Sequence, residues 1–406
     1  MRVVRETGGV TAVPAPPAPV RSGDAWAQAW TPEALARGAV AAIDLDALRH
    51  NLGVCREAAG GAQLMAVVKA DAYGHGLVPC ARAAREAGAE WLGVALLHEA
   101  VTLRDAGVEG RILAWLGVPG SQWQECVALD VDLGVSALWS LDAVRTAARE
   151  TGRRARVHLK ADTGLSRNGA TPDDWPQLVA EAVEAEAEGT VVVAGVWSHL
   201  ACADEPEHPS VAAQLAAYDA ALALAEAAGL RPEVRHLANS AGAFAVPGAR
   251  HDLVRVGIHM YGLSSGIAPA AELGLRPVMS LRARLASVKR VPAGSGVSYG
   301  QEYTTATGTT LGLVPVGYAD GLPRAAANAG PVLAAGAVRT VAGRVCMDQV
   351  VLDLGDDPAQ VGDEVVIFGA DGPSADDWAA VCGTIGYEIV TRIGPRVPRV
   401  VLGGGP

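Results

Sequence analysis

Short apolar segments alternate with longer segments of helical periodicity over residues 46–276. Eight of the apolar segments have the length and composition of buried parallel strands: 65–70, 91–95, 111–116, 131–135, 156–161, 191–198, 234–238 and 253–258. Alanine-rich segments with helical spacing lie around them, at 46–59, 79–87, 98–106, 141–151, 175–188 and 211–228. Eight strand–helix units predict an α/β fold, a (β/α)8 TIM barrel, with an open doubly wound sheet as the structural alternative.

The pattern changes at both ends of this region. Beyond residue 276, strand-like segments separated by Gly, Pro and Asp turns follow at 281–291, 310–316, 338–345, 349–354 and 364–368, and only residues 375–381 look helical. Residues 277–406 therefore predict a mostly β domain. Residues 1–35 are rich in Pro, Ala, Gly and Val without an apolar period, which predicts a disordered extension before a strand near Val40.

Composition narrows the class of protein. Hydrophobic residues make up 50% of the 406 positions and aromatic residues only 4%, as expected for aliphatic strands packed under helices. A net charge of −11 without a basic stripe argues against nucleic acid or an anionic membrane as a partner. Six cysteines without a C-x-x-C pair, and the absence of a signal peptide or long apolar run, predict a cytoplasmic protein with reduced thiols.

Polar residues follow the predicted strands at their carboxyl ends, where a barrel carries its chemistry. Lys69 and Tyr73 follow the first strand, and Lys160, Asp162 and Arg167 follow the fifth. His199 follows the sixth strand, and Asn239 and Ser240 follow the seventh. The eighth strand contributes Arg255, Gly257 and Tyr261. We therefore expect these side chains to converge at one mouth of the barrel. Taken singly, His199 and Arg255 are also compatible with purely structural roles.

Lys69 is the most informative of these residues. A cation at the end of an apolar strand is costly unless it is paired or neutralised, and burial makes the amine nucleophilic, as a Schiff base requires. The alternative is a lysine that extends to the barrel rim. Ser240 and the backbone at Gly257–Ile258 suit a phosphate group. No Walker loop, H-E-x-x-H or G-x-S-x-G motif is present, and we expect no metal site.

Eight motifs together resemble those of the alanine racemases, a fold-type III family dependent on pyridoxal 5'-phosphate (PLP). The resemblance covers about residues 38–402, and the motifs follow in this order: A-V-V-K-A-D-A-Y-G-H-G, H-L-K-A-D-T-G, R-H-L-A-N-S-A, R-V-G-I-H-M-Y-G, V-S-Y-G, V-P-V-G-Y-A-D-G, G-R-V-C-M-D-Q and G-Y-E-I-V-T-R-I-G-P-R-V-P-R. The resemblance implies a PLP-binding barrel, a β domain joined by a strand at 36–45, and a homodimer with shared active sites. It also implies an isomerase that supplies D-alanine for peptidoglycan.

The same resemblance implies roles for individual residues. Lys69 would hold the cofactor and act as one base, and Tyr299 of the partner subunit would be the second base. Arg255 would face the pyridine nitrogen, with His199 behind it. The remaining cofactor residues would be Asn239 and the phosphate contacts Tyr73, Ser240, Gly257, Ile258 and Tyr387.

Four further residues are implied near the substrate. Arg167 would lie by the phenolic oxygen of the cofactor, and Lys160, often carbamylated in the family, would orient it. Met347 of the partner would donate a backbone hydrogen bond to the substrate carboxylate, and Tyr318 would line the entrance corridor. The loop L-S-R-N-G departs from the more frequent M-G-R-x-G of the family, with Ser166 in place of glycine.

Two opposed bases are the arrangement that racemisation needs, because one proton leaves one face of Cα and another arrives on the opposite face. A cationic Arg255 would disfavour protonation of the pyridine nitrogen and so limit side reactions. The pKa of a tyrosine in solution is about 10, so its phenol is a poor base at neutral pH. A tyrosine base therefore needs a neighbour that favours the phenolate.

Three other activities are weighed against racemisation of alanine. The nearest alternative is a racemase that prefers serine or accepts a broader range of amino acids. The residues that line the small substrate pocket would decide between these substrates. A PLP decarboxylase of the same fold needs no base on the face where Tyr299 would act. A non-catalytic PLP-binding protein would resemble the barrel alone, without the β domain and the C-M-D motif.

Overall fold

The computed structural model describes residues 26–403 and contains a parallel eight-stranded barrel. Numbered after a first strand β1 (Ala39–Asp44), the barrel strands are β2 (Gln63–Val67), β3 (Trp91–Val94), β4 (Arg111–Ala114), β5 (Asp132–Val135), β6 (Ala155–Lys160), β7 (Val191–Trp197), β8 (Val234–His236) and β9 (Leu253–Val256). Their order is β8-β7-β6-β5-β4-β3-β2-β9. The barrel prediction is confirmed. The doubly wound alternative is wrong because β2 to β8 are neighbours in chain order without a reversal, and the last strand, β9, pairs with the first, β2.

The ring closes between β8 and β9 through single backbone hydrogen bonds. Asp252 donates to the carbonyl of Arg235 at 3.1 Å, and Arg255 donates to the carbonyl of Ala238 at 3.0 Å. The carboxyl ends of all eight strands therefore surround one mouth.

Helices connect the strands on the outside of the barrel. They are α1 (Pro32–Arg37) before β1, then α2 (Leu45–Ala59), α3 (Lys69–Gly74), α4 (Leu77–Glu86), α5 (Leu97–Asp105), α6 (Trp123–Ala128), α7 (Leu138–Thr151), α8 (Trp175–Ala187), α9 (Pro209–Ala227) and α10 (Ser240–Ala245). The six predicted helices are present with small shifts at their ends. The exception in geometry is α3, where four consecutive residues from Ala70 to Tyr73 have φ between 53° and 55°, a left-handed turn.

The rest of the chain forms three antiparallel or mixed sheets. The strands are β10 (Met279–Arg284), β11 (Ser287–Val291), β12 (Gly296–Val297), β13 (Tyr303–Thr304), β14 (Thr309–Val314), β15 (Pro331–Ala334), β16 (Ala337–Thr340), β17 (Val350–Gly355), β18 (Glu364–Phe368) and β19 (Arg399–Leu402). The sheets have the orders β16-β15-β18-β10-β1-β19, β11-β14-β17 and β12-β13. β1 pairs antiparallel with β10 and parallel with β19.

Three expectations for this part need correction. The segment 281–291 is two strands that belong to different sheets, with a break at Leu285 and Ala286, and the segment 338–345 is a strand only as far as Thr340. A second helix, α12 (Gly386–Thr391), follows the predicted α11 (Ala375–Cys382). A helix of six residues beginning at glycine is too short to show an apolar period, which explains why the pattern did not reveal it.

The ordered chain also begins before residue 36. Trp26 is buried, and its indole Nε1 donates to Asp371 at 2.9 Å. The guanidinium carbon of Arg282 lies 3.9 Å from the centre of the Trp26 ring, a cation–π contact. The predicted extension at 1–35 is therefore wrong for residues 26–35, because two tryptophans anchor a segment that has no apolar period. Residues 1–25 lie outside the described residues.

All six cysteines are free thiols. No helix within residues 26–403 combines the length and the apolar character that a membrane span requires.

Candidate active site

A cavity of about 850 Å³ opens at the mouth of the barrel. It is lined by eleven of the residues expected there: Lys69, Tyr73, Lys160, Arg167, His199, Asn239, Ser240, Arg255, Gly257, Ile258 and Tyr387. Ten of them come from the carboxyl ends of barrel strands and the loops that follow, and Tyr387 comes from α12. The barrel thus brings side chains from distant parts of the chain into one site.

Lys69 lies directly after β2, at the start of the left-handed turn. Glu99 holds this turn in place, since its carboxylate accepts hydrogen bonds from the backbone of Ala70 at 2.6 Å and from the backbone of Ala95 and Leu96 at 3.0 and 2.9 Å. Burial lowers the pKa of the Lys69 amine, and the charges of Arg167 and Arg255 lower it further against the opposing effect of Glu99. These effects shift the equilibrium of the amine toward its neutral, nucleophilic form.

Arg255 is fixed at the bottom of the cavity by five contacts. Its guanidinium donates to the carbonyls of Ser198, His236 and Leu237 at 2.9, 3.1 and 3.1 Å. It also lies 3.1 Å from Nδ1 of His199 and 3.2 Å from Nδ1 of His236. Burial lowers the pKa of Arg255 to about 10, so the group is still a cation at neutral pH. Burial and this cation hold the pKa of His199 well below its usual value, so His199 is neutral.

Hydroxyl and backbone groups also line the cavity. The amide of Gly257 donates to Ser240 Oγ at 2.9 Å, and Asn239 Oδ1 caps α10 by accepting from Gly242 at 2.9 Å. The Tyr73 ring packs against Tyr261, and a Cβ at Gly257 would collide with the Tyr73 hydroxyl. The backbone at residue 257 can lie this close to the Tyr73 hydroxyl only because Gly257 has no side chain.

The two tyrosines of this region remain protonated. Burial raises the pKa of Tyr73 and raises that of Tyr387 to about 12. Two phenol donors, a serine hydroxyl and the amides at Gly257 and Ile258 form a set of neutral donors that suits a phosphate dianion.

Lys160 lies among cations. Its Nζ is 4.4 Å from the centre of the Trp197 ring, and burial followed by the charges of Arg255 and Arg167 lowers its pKa to about 7. Within residues 26–403, the buried Nε1 of Trp197 has no hydrogen-bond partner. Ser166, beside Arg167, has a φ of 55°, in the left-handed region that glycine favours.

Tyr299, Tyr318 and Met347 do not line the cavity of their own chain. Their side chains are 72%, 39% and 53% exposed. They are close to one another around Cys346, whose Sγ lies 3.3 Å from Ser298 Oγ and whose carbonyl accepts from the amide of Tyr318 at 3.0 Å. Tyr299, Tyr318 and Met347 form the exposed patch, which lies on the β part of the chain and does not reach the barrel mouth of the same chain.

Two family models cover most of the chain. Residues 43–265 match the alanine racemase N-terminal domain, and residues 278–401 match the alanine racemase C-terminal domain. The chain belongs to the alanine racemase family. The resemblance drawn from its motifs is thereby confirmed.

Individual relatives agree over nearly the whole chain. A protein named alanine racemase from Streptomyces coelicolor is 58% identical over 372 residues, which are 89% of this chain and 95% of that one. The crystal structure of alanine racemase from D-cycloserine-producing Streptomyces lavendulae has a TM-score of 0.89 at 58% identity and covers 90% of this chain and 97% of its own. The biosynthetic alanine racemase of Pseudomonas aeruginosa has a TM-score of 0.81 at 37% identity, with 90% and 100% covered.

Three residues of this alanine racemase family site escaped the sequence reasoning. Glu99 supports the turn after Lys69, and Trp115 and Trp197 line the cavity. Both tryptophans lie at or just beyond the carboxyl end of a barrel strand, where the rule for active-site position would have selected them. Glu99 is at the third position of α5, where an acidic residue commonly caps the start of its own helix. This common role gave no reason to expect its contact with the backbone of Ala70.

Proposed function

We propose that this chain interconverts L-alanine and D-alanine with pyridoxal 5'-phosphate as cofactor. The observation that carries the proposal is the Lys69 amine, with its lowered pKa, facing a cavity whose base is the fixed cation Arg255. Sequence relatives named alanine racemase support the substrate.

The cavity fits the proposed cofactor. The neutral donors at Ser240, Gly257 and Ile258, with the phenols of Tyr73 and Tyr387, would hold the phosphate. Arg255 would face the pyridine nitrogen, and Asn239 and His199 would complete the cofactor residues. Once bound, the cofactor would supply an electron sink for the carbanion at Cα.

Two groups would move protons at Cα. The Lys69 amine would serve one face of the substrate, and the Tyr299 phenol of a second copy would serve the other. The exposed patch supports this division, because Tyr299 does not reach the cavity of its own chain. Ser298, just before Tyr299, has a φ of 63°, and such backbone strain is concentrated at functional sites.

The same geometry supports a homodimer. We infer that the exposed patch of one subunit covers the barrel mouth of the other, where Met347 would bind the substrate carboxylate and Tyr318 would line the entrance. Arg167 would approach the substrate from the barrel side. The six free thiols support a cytoplasmic enzyme, and D-alanine for peptidoglycan is the role typical of the family.

The direct test is to follow optical rotation with the purified, PLP-loaded protein. We expect L-alanine to lose its rotation and D-alanine to yield the same end point, because the two enantiomers have equal free energy. L-Serine and larger L-amino acids are run in parallel. Faster turnover of L-serine would replace the alanine assignment with the serine alternative, and an unchanged rotation with every substrate would refute racemisation.

Lys160 is predicted to carry a carbamate. Its neutral amine would attack the carbon of CO2 and lose one proton, which would place an anion beside the cations Arg167 and Arg255. The lowered pKa places the neutral amine above about pH 7, so the carbamate should increase as the pH rises through that value. In 13C-bicarbonate, 13C NMR should show a carbamate signal in the wild type.

The chain offers a matched control for this experiment. Lys289 is an exposed lysine on β11, so Lys289→Ala should leave the signal intact, whereas Lys160→Met should remove it. A carbamate signal that survives Lys160→Met would contradict the prediction.

A further inference from the structure

The loops that carry Tyr318 and Met347 are joined to each other. The paired loops are defined as residues 317–321 and 346–348. The amides of Tyr318 and Ala319 donate to the carbonyls of Cys346 and Met347 at 3.0 and 2.9 Å. A Cβ at Gly317 would overlap both carbonyls, so only glycine permits this approach. A shift of one loop therefore moves the other.

Asp320 is the buried centre of the paired loops. Its side chain is fully buried, and Oδ2 accepts from the amide of Gly317 at 2.9 Å. Oδ1 lies 2.6 Å from Nη2 of Arg37 and 3.3 Å from Nε of Arg396. Arg396 in turn reaches Asp348 of the second loop at 2.6 Å. The Asp320 carboxylate is thus connected to both loops, and a buried carboxylate requires such partners.

Arg37 reaches this centre from outside the paired loops. It is the last residue of α1, and all three nitrogens of its guanidinium are engaged: Nη1 donates to the carbonyl of Pro315 at 2.7 Å, Nε to that of Arg396 at 3.2 Å, and Nη2 to Asp320. Residue 37 precedes the region that matches the family models, which begins at residue 43.

The segment that ends in Arg37 is itself anchored to β10 and its neighbours. Trp26 stacks on Arg282, and the centre of the Trp30 ring lies 4.6 Å from the guanidinium carbon of Arg284. The indole Nε1 of Trp30 also donates to Glu364 at 2.5 Å. Because two tryptophans anchor the start of this segment, the backbone that carries Arg37 is fixed in position.

We propose that Arg37 is a positioning residue that holds Asp320, and through it the paired loops, in the orientation in which Tyr318 and Met347 act on substrate at a second copy. The proposal rests on the proposed function, which alone assigns those two residues to the substrate. Arg37 does not line the barrel cavity. Its loss should therefore weaken substrate binding without weakening cofactor binding.

The test compares Arg37→Ala and Arg37→Lys in the full-length, PLP-loaded enzyme. For R37A we expect the KM for L-alanine to rise on the order of tenfold, because the groups that bind substrate would be displaced slightly. The change in kcat should be smaller, and the cofactor content and spectrum should be unchanged. R37K keeps the charge near Asp320 but lacks the fork that reaches two carbonyls, so its KM should be intermediate. Arg290→Ala, which breaks an exposed ion pair with Asp356, should leave KM unchanged.

A structural readout accompanies the kinetics. In R37A the amides of Tyr318 and Ala319 should exchange with deuterium faster than in the wild type, since the loop that carries them is no longer held by Arg37 through Asp320. If R37A does not fold, the double variant R37A/D320N removes the buried charge together with its partner and should fold with the same rise in KM. Wild-type KM and exchange in either folded variant would overturn the proposal.

Tyr318→Ala separates this proposal from the proposed function. A raised KM in Tyr318→Ala with a normal KM in R37A would refute the role of Arg37 and leave the role of the loops intact. A normal KM in both variants would refute the assignment of the paired loops to the substrate.

Discussion

Replacing Lys69 by alanine is expected to abolish racemisation and the visible absorbance of the lysine-bound cofactor together. The variant would lose both the covalent attachment and one of the two proton-transferring groups, and we expect a fall in kcat on the order of 10⁴-fold or more. Optical rotation with L-alanine and the absorption spectrum of the purified protein measure the two effects.

The proposed assignment of the cofactor to Lys69 has few competitors in this chain. The chain has only three lysines, Lys69, Lys160 and Lys289. Lys160 is the competitor, because it is also buried in the cavity and its pKa is lowered to about 7. Borohydride reduction followed by peptide mass mapping should find the cofactor on Lys69 alone. A cofactor mapped to Lys160, or full racemisation by Lys69→Ala, would be incompatible with the assignment.

Removing the hydroxyl of Tyr299 is expected to block proton transfer on one face of the substrate. Tyr299→Phe should lower the L-to-D rate by about 10²- to 10⁴-fold while cofactor binding is retained. The D-to-L value of kcat/KM should fall by the same factor, because the equilibrium constant between enantiomers is one. In D2O, one enantiomer should still exchange its Cα proton through Lys69, and the other should not.

Tyr303→Phe is the matched control for this variant. Tyr303 lies four residues further along the same part of the chain and donates to Asp353 at 2.7 Å. Its loss should cost about 1 kcal/mol of stability, without an effect on racemisation. Loss of PLP from Tyr299→Phe would indicate a structural role, and exchange of both enantiomers in that variant would argue against two opposed bases.

The sequence was sufficient to locate the barrel and most of its mouth. Aliphatic segments of five to eight residues, which are buried on both faces, can be recognised in a sequence without any knowledge of tertiary contacts. Because the active site of a barrel lies at the carboxyl ends of its strands, the sequence alone predicts that Lys69, His199, Ser240 and Arg255 belong to one site.

Short elements and contacts distant in sequence were harder to predict. The helix at Gly386–Thr391 is too short to show a helical period, and the break between β10 and β11 lies within residues 281–291, which contain no Gly, Pro or Asp to mark a turn. Trp26 and Trp30 looked like part of a Pro- and Ala-rich extension, because their stabilising partners Arg282 and Arg284 lie some 250 residues away in the chain.

By itself, therefore, the sequence determined the barrel, the second β part and the family, because these depend on local periodicity and on motifs. Only the tertiary structure decided how each group is held. It supplied Glu99 beneath the turn after Lys69, the five contacts that fix Arg255, and the link from Arg37 through Asp320 to the paired loops. Such contacts join residues remote in the chain, and their hydrogen-bond geometry exists only once the strands and loops are packed together.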